Sequence, residues 1–175
     1  MFKEPRDETR FDWTMLGDVT EGRPNLGVTT EVSVYRLMQF TLRDVLIKDF
    51  GVEVADRIFY EAGKTAGKHF YEKLITKRGA FHEFVEDLQE VLRNLRVGIL
   101  RVEKADLEDL TFTITLAEDL DCSGLPVCDE EICTYDEGFL AGVFFAHMHQ
   151  EFNVKEVDCW CSGDRVCRFE VKPVR

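Results

Sequence analysis

Near residue 96 the hydrophobic period of this 175-residue chain changes from that of a helix to that of a strand. Up to Leu95, apolar side chains recur every three or four residues; beyond Val97 they recur every second one. Such a chain has to bury helical stripes and strand faces together, which predicts an α+β domain: N-terminal helices packed on a small antiparallel sheet, with one further helix among the strands.

The stretch "TTEVSVYRLMQFTLRDVLIKDFG" predicts the first long helix. Val34, Leu37, Met38, Leu42, Val45 and Leu46 form its stripe, Ser33 caps its start and Gly51 ends it. A second helix runs through "VEVADRIFYEAGKTAGKHFYEKLI", where Gly63 and Gly67 leave a bare strip that lets another backbone approach closely. "AFHEFVEDLQEVLRNLR" is a third, with Phe84, Leu88 and Leu92 on its apolar face. "VGILRVEKA" and "TFTITL" are strands, the latter alternating Phe112, Ile114 and Leu116 with threonines. After the loop "AEDLDCSGLPVCDEEIC", the box "TYDE" opens a fourth helix with Thr134 as cap and Glu137 three residues on. "NVKEVDCWC" and "RVCRFEV" close the chain as a hairpin. Residues 1–28 read as an irregular arm and 29–175 as one domain.

Thirty-four acids against 22 bases give a net charge of −12. A surface of that sign repels nucleic-acid phosphates, so direct nucleic-acid binding is not expected. The charged opening "MFKEPRDETRF" does not resemble a signal peptide, and the apolar run Phe139 to Ala146 is too short to span a bilayer. A cytoplasmic protein is expected.

All six cysteines fall in the last third, at 122, 128, 133, 159, 161 and 167. A disulfide framework would tie the two halves together, and the expected compartment keeps thiols reduced. The clustering points to a local site instead. Cys159 and Cys167 flank the hairpin turn, and Glu156 precedes Cys159 by three. A strict strand puts Glu156 and Cys159 on opposite faces, so a shared site needs a bulge or strand end near Val157–Asp158. Cys133 stands beside the start of a helix, where the helix dipole favours a thiolate. Three thiolates and a carboxylate suit tetrahedral zinc, with unligated thiols as the alternative.

"EVDCWCSGDRVCRFEV", with "CTYDEGFLAG" and "YEAGKTAGKHF", resembles the 4-vinyl reductase (4VR) domain family over residues 29 to 172. The resemblance extends to the zinc-containing ligand-sensing domains of aromatic-responsive transcription activators. It implies zinc on Cys133, Glu156, Cys159 and Cys167, four positions that match in residue type and spacing. It implies a fold like that of vesicle-tethering-complex (TRAPP) subunits and, with the Gly63/Gly67 strip, a homodimer through the helical half. Cys122, Cys128 and Cys161 have no place in that pattern and read as ordinary thiols.

The resemblance implies a standalone domain that binds or senses a hydrophobic or aromatic small molecule beside a structural zinc, with a regulatory protein partner as the receiver. Phe112, Ile114 and Phe144 are candidate ligand contacts. Two alternatives stand beside it: a reductase or accessory protein acting on a vinyl tetrapyrrole, and a cysteine-based redox sensor. The sequence carries no P-loop, Rossmann glycine signature or helix-turn-helix, and His147 or His149 is the one visible source of an acid or base, so binding without chemistry is the expectation.

Overall fold

A computed structural model describes residues 11–128 and 132–174. A 3-10 turn at Trp13–Leu16, capped by Asp12, and the four-residue helix α1 (Val19–Gly22) lead into α2 (Val32–Phe50), α3 (Val52–Leu74) and α4 (Phe81–Asn94). The strands β1 (Ile99–Asp106) and β2 (Thr111–Ala117) follow, then α5 (Thr134–Met148), β3 (Phe152–Asp158) and β4 (Cys167–Pro173). The four strands form one antiparallel sheet in the order β1-β2-β4-β3. This is the α+β architecture that the change of period predicts.

α5 is apolar on every side, "GFLAGVFFA", and a helix of that kind has to be covered on every side. It lies between the sheet and α3. Its approach to α3 is set by glycine. A Cβ added at Gly63 would overlap the Tyr135 carbonyl oxygen and stand 2.9 Å from Phe139 N; one at Gly67 would overlap the Phe139 oxygen and stand 2.9 Å from Val143 N. Gly138 and Gly142 of α5 do the same in return against Tyr60 and Lys64. The bare strip is therefore filled from within the chain. It is not free for a second copy, which corrects the expectation that a dimer would use it.

A second correction concerns α2. Its stripe faces outward: Val34, Leu37, Met38, Leu42 and Val45 are each more than half exposed, and Gln39 is its one buried residue. α3 takes the place on the core that the sequence offered equally to α2, because Ala55, Phe59, Gly63, Gly67 and Tyr71 form a straight four-residue ladder into the molecule. The helix caps shift as well. α2 starts after Glu31 rather than at Ser33, and Cys133, not Thr134, is the N-cap of α5. Glu137 does not fold back on that cap; its carboxylate accepts from Glu156 N at 2.8 Å and pairs with Lys155.

Candidate metal centre and ligand cavity

The inward face of the hairpin carries the pattern Phe152, Val154, Glu156 on β3 and Cys167, Phe169, Val171 on β4. Glu156 is therefore a carboxylate at a core position, 1% exposed. The pairing of β3 with β4 slips between Glu156 and Asp158, and a 3-10 turn at Trp160–Ser162 begins immediately after. This is the irregularity that the spacing required, and it turns Cys159 to the same side as Glu156. Cys133 enters from the N-terminus of α5.

Around one point stand the sulfurs of Cys122, Cys133, Cys159 and Cys167, all within 4.8 Å of one another and all buried. Cys133 Sγ lies 3.8 Å from Cys159 Sγ and 3.7 Å from Cys167 Sγ. A tetrahedral ion with Zn–S bonds of about 2.3 Å sets sulfur–sulfur edges of about 3.8 Å, so these two edges already have the length an ion needs. Neither carboxylate oxygen of Glu156 has a hydrogen-bond partner, and its neighbours are the thiols of Cys133, Cys159 and Cys167. Burial, and then the charge on Cys159, pushes this carboxyl up to about 8. An orphaned buried carboxyl among thiols is costly unless a cation or proton meets it.

Cys122 is a departure from the sequence-based expectation. Its sulfur is 3.0 Å from that of Cys167, inside the cluster rather than apart from it. Residue spacing could not reveal this, because Cys122 arrives on the long β2–α5 loop. Of the other two thiols, Cys128 is exposed and Cys161 buried, and Cys128 N donates to Cys161 O at 2.9 Å.

The same loop builds a second feature. Asp119, Asp121 and Asp136 are buried side by side. Burial and the neighbouring Asp121 push Asp119 up to about 6, while burial and then Asp119 hold Asp136 well above the ordinary carboxyl range. Asp119 and Asp136 each bring an oxygen within 4.8 Å of Cys133 Sγ, so the acids adjoin the thiol cluster. On their other side Asp121 and Asp136 line a cavity of about 840 Å³. Phe11, Trp13 and Leu16 of the arm, Ala62, Ala66 and Phe70 of α3, and Tyr135 and Phe139 of α5 make most of its wall. Its charged lining is Glu61, Asp121 and Asp136, with no basic residue among the described ones. α2 grips this acidic end: Tyr35 Oη and Gln39 Nε2 each donate to Asp121 at 2.8 Å, and Arg36 donates to the carbonyls of Asp119, Leu120 and Ser123.

Phe112 and Phe144, the aromatic residues singled out in the sequence, sit elsewhere. Their rings lie 5.1 Å apart in a core cluster with Phe81, Phe84 and Phe152. Ile114 lines a small void behind Asp136 and Phe139, on the far side of the cavity wall. His147 stacks on Phe84 at 4.0 Å with its Nδ1 beside Tyr71 Oη, and burial lowers its basicity; it does not line the cavity.

Comparison with known proteins follows the same lines. Residues 112–173 match the vinyl-4-reductase (V-4-R) domain. Two uncharacterised proteins of Methanocaldococcus jannaschii, MJ0150 and MJ1642, are 25% and 27% identical over 147 and 149 residues, covering 84% and 85% of this chain and 78% and 81% of theirs. Among solved structures, the phenol-responsive sensory domain of the transcription activator PoxR, with phenol, superposes with a TM-score of 0.68 at 18% identity, over 84% of this chain and 76% of that one. A vinyl-4-reductase family protein from M. jannaschii gives 0.62 at 20% identity, over 96% and 100%. Trafficking protein particle complex subunit 3 from Naegleria fowleri, covalently bound to palmitic acid, gives 0.65 at 11% identity, over 82% and 95%. At these identities the structures establish the fold, including its likeness to the vesicle-tethering subunits. No helix among the described residues is long and apolar enough to cross a membrane. With the helical half arranged as in these structures and the metal-centre hairpin inside the matched segment, the chain carries a vinyl-4-reductase domain, that of the family its cysteine hairpin resembles.

Proposed function

We propose that this chain binds a small hydrophobic molecule in the cavity between the arm, α3 and α5, and reports its presence through α2. The observation that carries this reading is the cavity: about 840 Å³, walled by apolar and aromatic side chains, with its few polar groups gathered at one end. That is the build of a site for a molecule with an apolar body and one polar handle. The similar fold of a phenol-responsive sensory domain supports it. The handle should be a hydrogen-bond donor, since the charged lining is acidic throughout and would repel a carboxylate. α2 holds the acidic end by Tyr35, Arg36 and Gln39 and presents its apolar stripe outward, so movement of that end reaches a surface suited to a second copy of this chain or a regulatory protein.

In the same reading, zinc held by Cys133, Cys159, Cys167 and Glu156 fixes the hairpin and the start of α5. Its role is structural: it braces the wall that carries Tyr135 and Asp136. Phe112, Ile114 and Phe144 back that wall.

The test is a thermal-shift series of toluene, p-cresol and benzoate, with product analysis of each mixture. The expected result is saturable stabilisation by p-cresol, less by toluene and none by benzoate, with every compound recovered unchanged. A protein stabilised by none of the three, and by no longer apolar alcohol, refutes the cavity as a ligand site. Turnover of a vinyl tetrapyrrole with added reductant would move the assignment to an enzyme.

A second reading, a thiol-based redox sensor, is favoured by one observation: exposed Cys128 is hydrogen-bonded through its backbone to buried Cys161. Peroxide treatment followed by non-reducing peptide mapping tests it; a native protein with both thiols still reduced rejects it.

A further inference from the structure

We propose that Cys122 is a fifth donor of the metal centre, exchangeable with Glu156, so that the ion is held by three thiolates and either a carboxylate or a fourth thiolate. This rests on the reading of the cluster as a metal site. Cys133, Cys159 and Cys167 are common to both sets. The fourth corner has two candidates, both fully withdrawn from water: Glu156, whose oxygens have no hydrogen-bond partner, and Cys122, whose sulfur lies within 4.8 Å of all three shared sulfurs. Tetrahedral zinc has room for one of them. The Cys122–Cys167 separation of 3.0 Å is shorter than a tetrahedral edge by roughly 0.8 Å, a gap that a side-chain rotation on a loop residue closes.

The two candidates stand on different supports. Glu156 is built into the sheet, whereas Cys122 rides on the β2–α5 loop next to Asp121, which lines the cavity and is gripped by Tyr35 and Gln39. Which donor completes the shell therefore depends on where the loop sits. An occupant that shifts Asp121 moves Cys122 with it, so coordination at the ion and occupancy of the cavity are linked through two adjacent residues. A four-thiolate shell also favours a softer ion than a three-thiolate shell does.

The experiment uses the full chain loaded with cobalt(II), whose thiolate-to-metal charge-transfer absorption counts bound sulfurs. Wild type, Cys122→Ser and Glu156→Gln are compared, together with the double variant. Each single variant is expected to bind one cobalt per chain with a tetrahedral spectrum. Glu156→Gln should absorb about one third more than Cys122→Ser, four thiolates against three. The double variant should bind at least tenfold more weakly than either. Equal charge-transfer intensity in the two single variants overturns the proposal, as does a Glu156→Gln protein that folds but takes up no cobalt. If Glu156→Gln fails to fold, Glu156→Asp, which draws the carboxylate back by one methylene, is read in the same way. Wild type that takes up no cobalt refutes the metal site as a whole, an outcome distinct from the other two.

Discussion

Replacing Gly67 by alanine should wedge α3 away from α5. The added methyl group would overlap the Phe139 carbonyl oxygen and stand 2.9 Å from Val143 N and 3.0 Å from Phe139 C. All three atoms are backbone within a buried helix, so no side chain can swing aside. Overpacking of a core costs about 1–3 kcal/mol, and the upper end applies where only helix displacement relieves it. Alanine recovers about 1 kcal/mol over glycine inside a helix. The net loss expected is about 2 kcal/mol, or a melting temperature lower by roughly 4–8 °C for a chain of this length. Urea unfolding followed by far-ultraviolet circular dichroism measures it. Gly22→Ala is the control: nothing lies within 4 Å of its added Cβ, and its effect should stay within about 0.5 kcal/mol. Combining Gly67→Ala with Gly138→Ala should cost less than the sum, because the first substitution already opens the gap the second needs. A Gly67→Ala protein within about 0.5 kcal/mol of wild type would falsify the view that backbone contact sets the spacing of these helices.

Cys167→Ser should cost more than about 3 kcal/mol and abolish metal retention, since binding energy in such centres is largely folding energy, whereas Cys122→Ser, with Glu156 still in place, should cost less than about 1 kcal/mol; metal analysis beside chemical unfolding checks both, and equal losses would undo the distinction. Asp87 accepts from Thr76 N, Lys77 N and Thr76 Oγ1, and although burial opposes its charge these bonds hold its carboxyl below the ordinary value of 3.8. Asp87→Ala should cost about 2 kcal/mol at neutral pH by leaving those donors unmet. Because the folded state favours the ionised form, this contribution is complete above the unfolded value and is lost as pH falls through the lower folded value, so the gap between wild type and variant should narrow toward about pH 3; a constant gap refutes it. If the α2 stripe is an interface between two copies, Leu37→Glu with Met38→Glu should convert a dimer to a folded monomer in sedimentation, and a wild type that is monomeric at tens of micromolar removes the interface.

Features that depend on neighbours along the chain can be read from residue order. Helices, strands and the closing hairpin follow from hydrophobic period and from breakers such as Gly51. The slip between Glu156 and Asp158 follows from the parity of a strand, because a carboxylate and a thiol three residues apart share a face only where the strand is interrupted. Even the glycine strip was legible as a place of close approach. What approached it was not: α2, α5 and a second copy all offered suitable surfaces, and only packing chose α5, by matching Gly63 and Gly67 with Gly138 and Gly142. The same choice turned the α2 stripe outward, since two helices cannot cover one face. The cavity is likewise a product of assembly, bounded by the arm, α2, α3, α5 and a loop that share no local pattern. Cys122 belongs with these. Its distance along the chain from Cys133 and Cys167 says nothing of where a long loop closes, and the 3.0 Å contact with Cys167 exists because Arg36, Tyr35 and Gln39 draw that loop down against α2. Local periodicity specifies which faces are apolar; which faces meet depends on the competition among all of them for one interior.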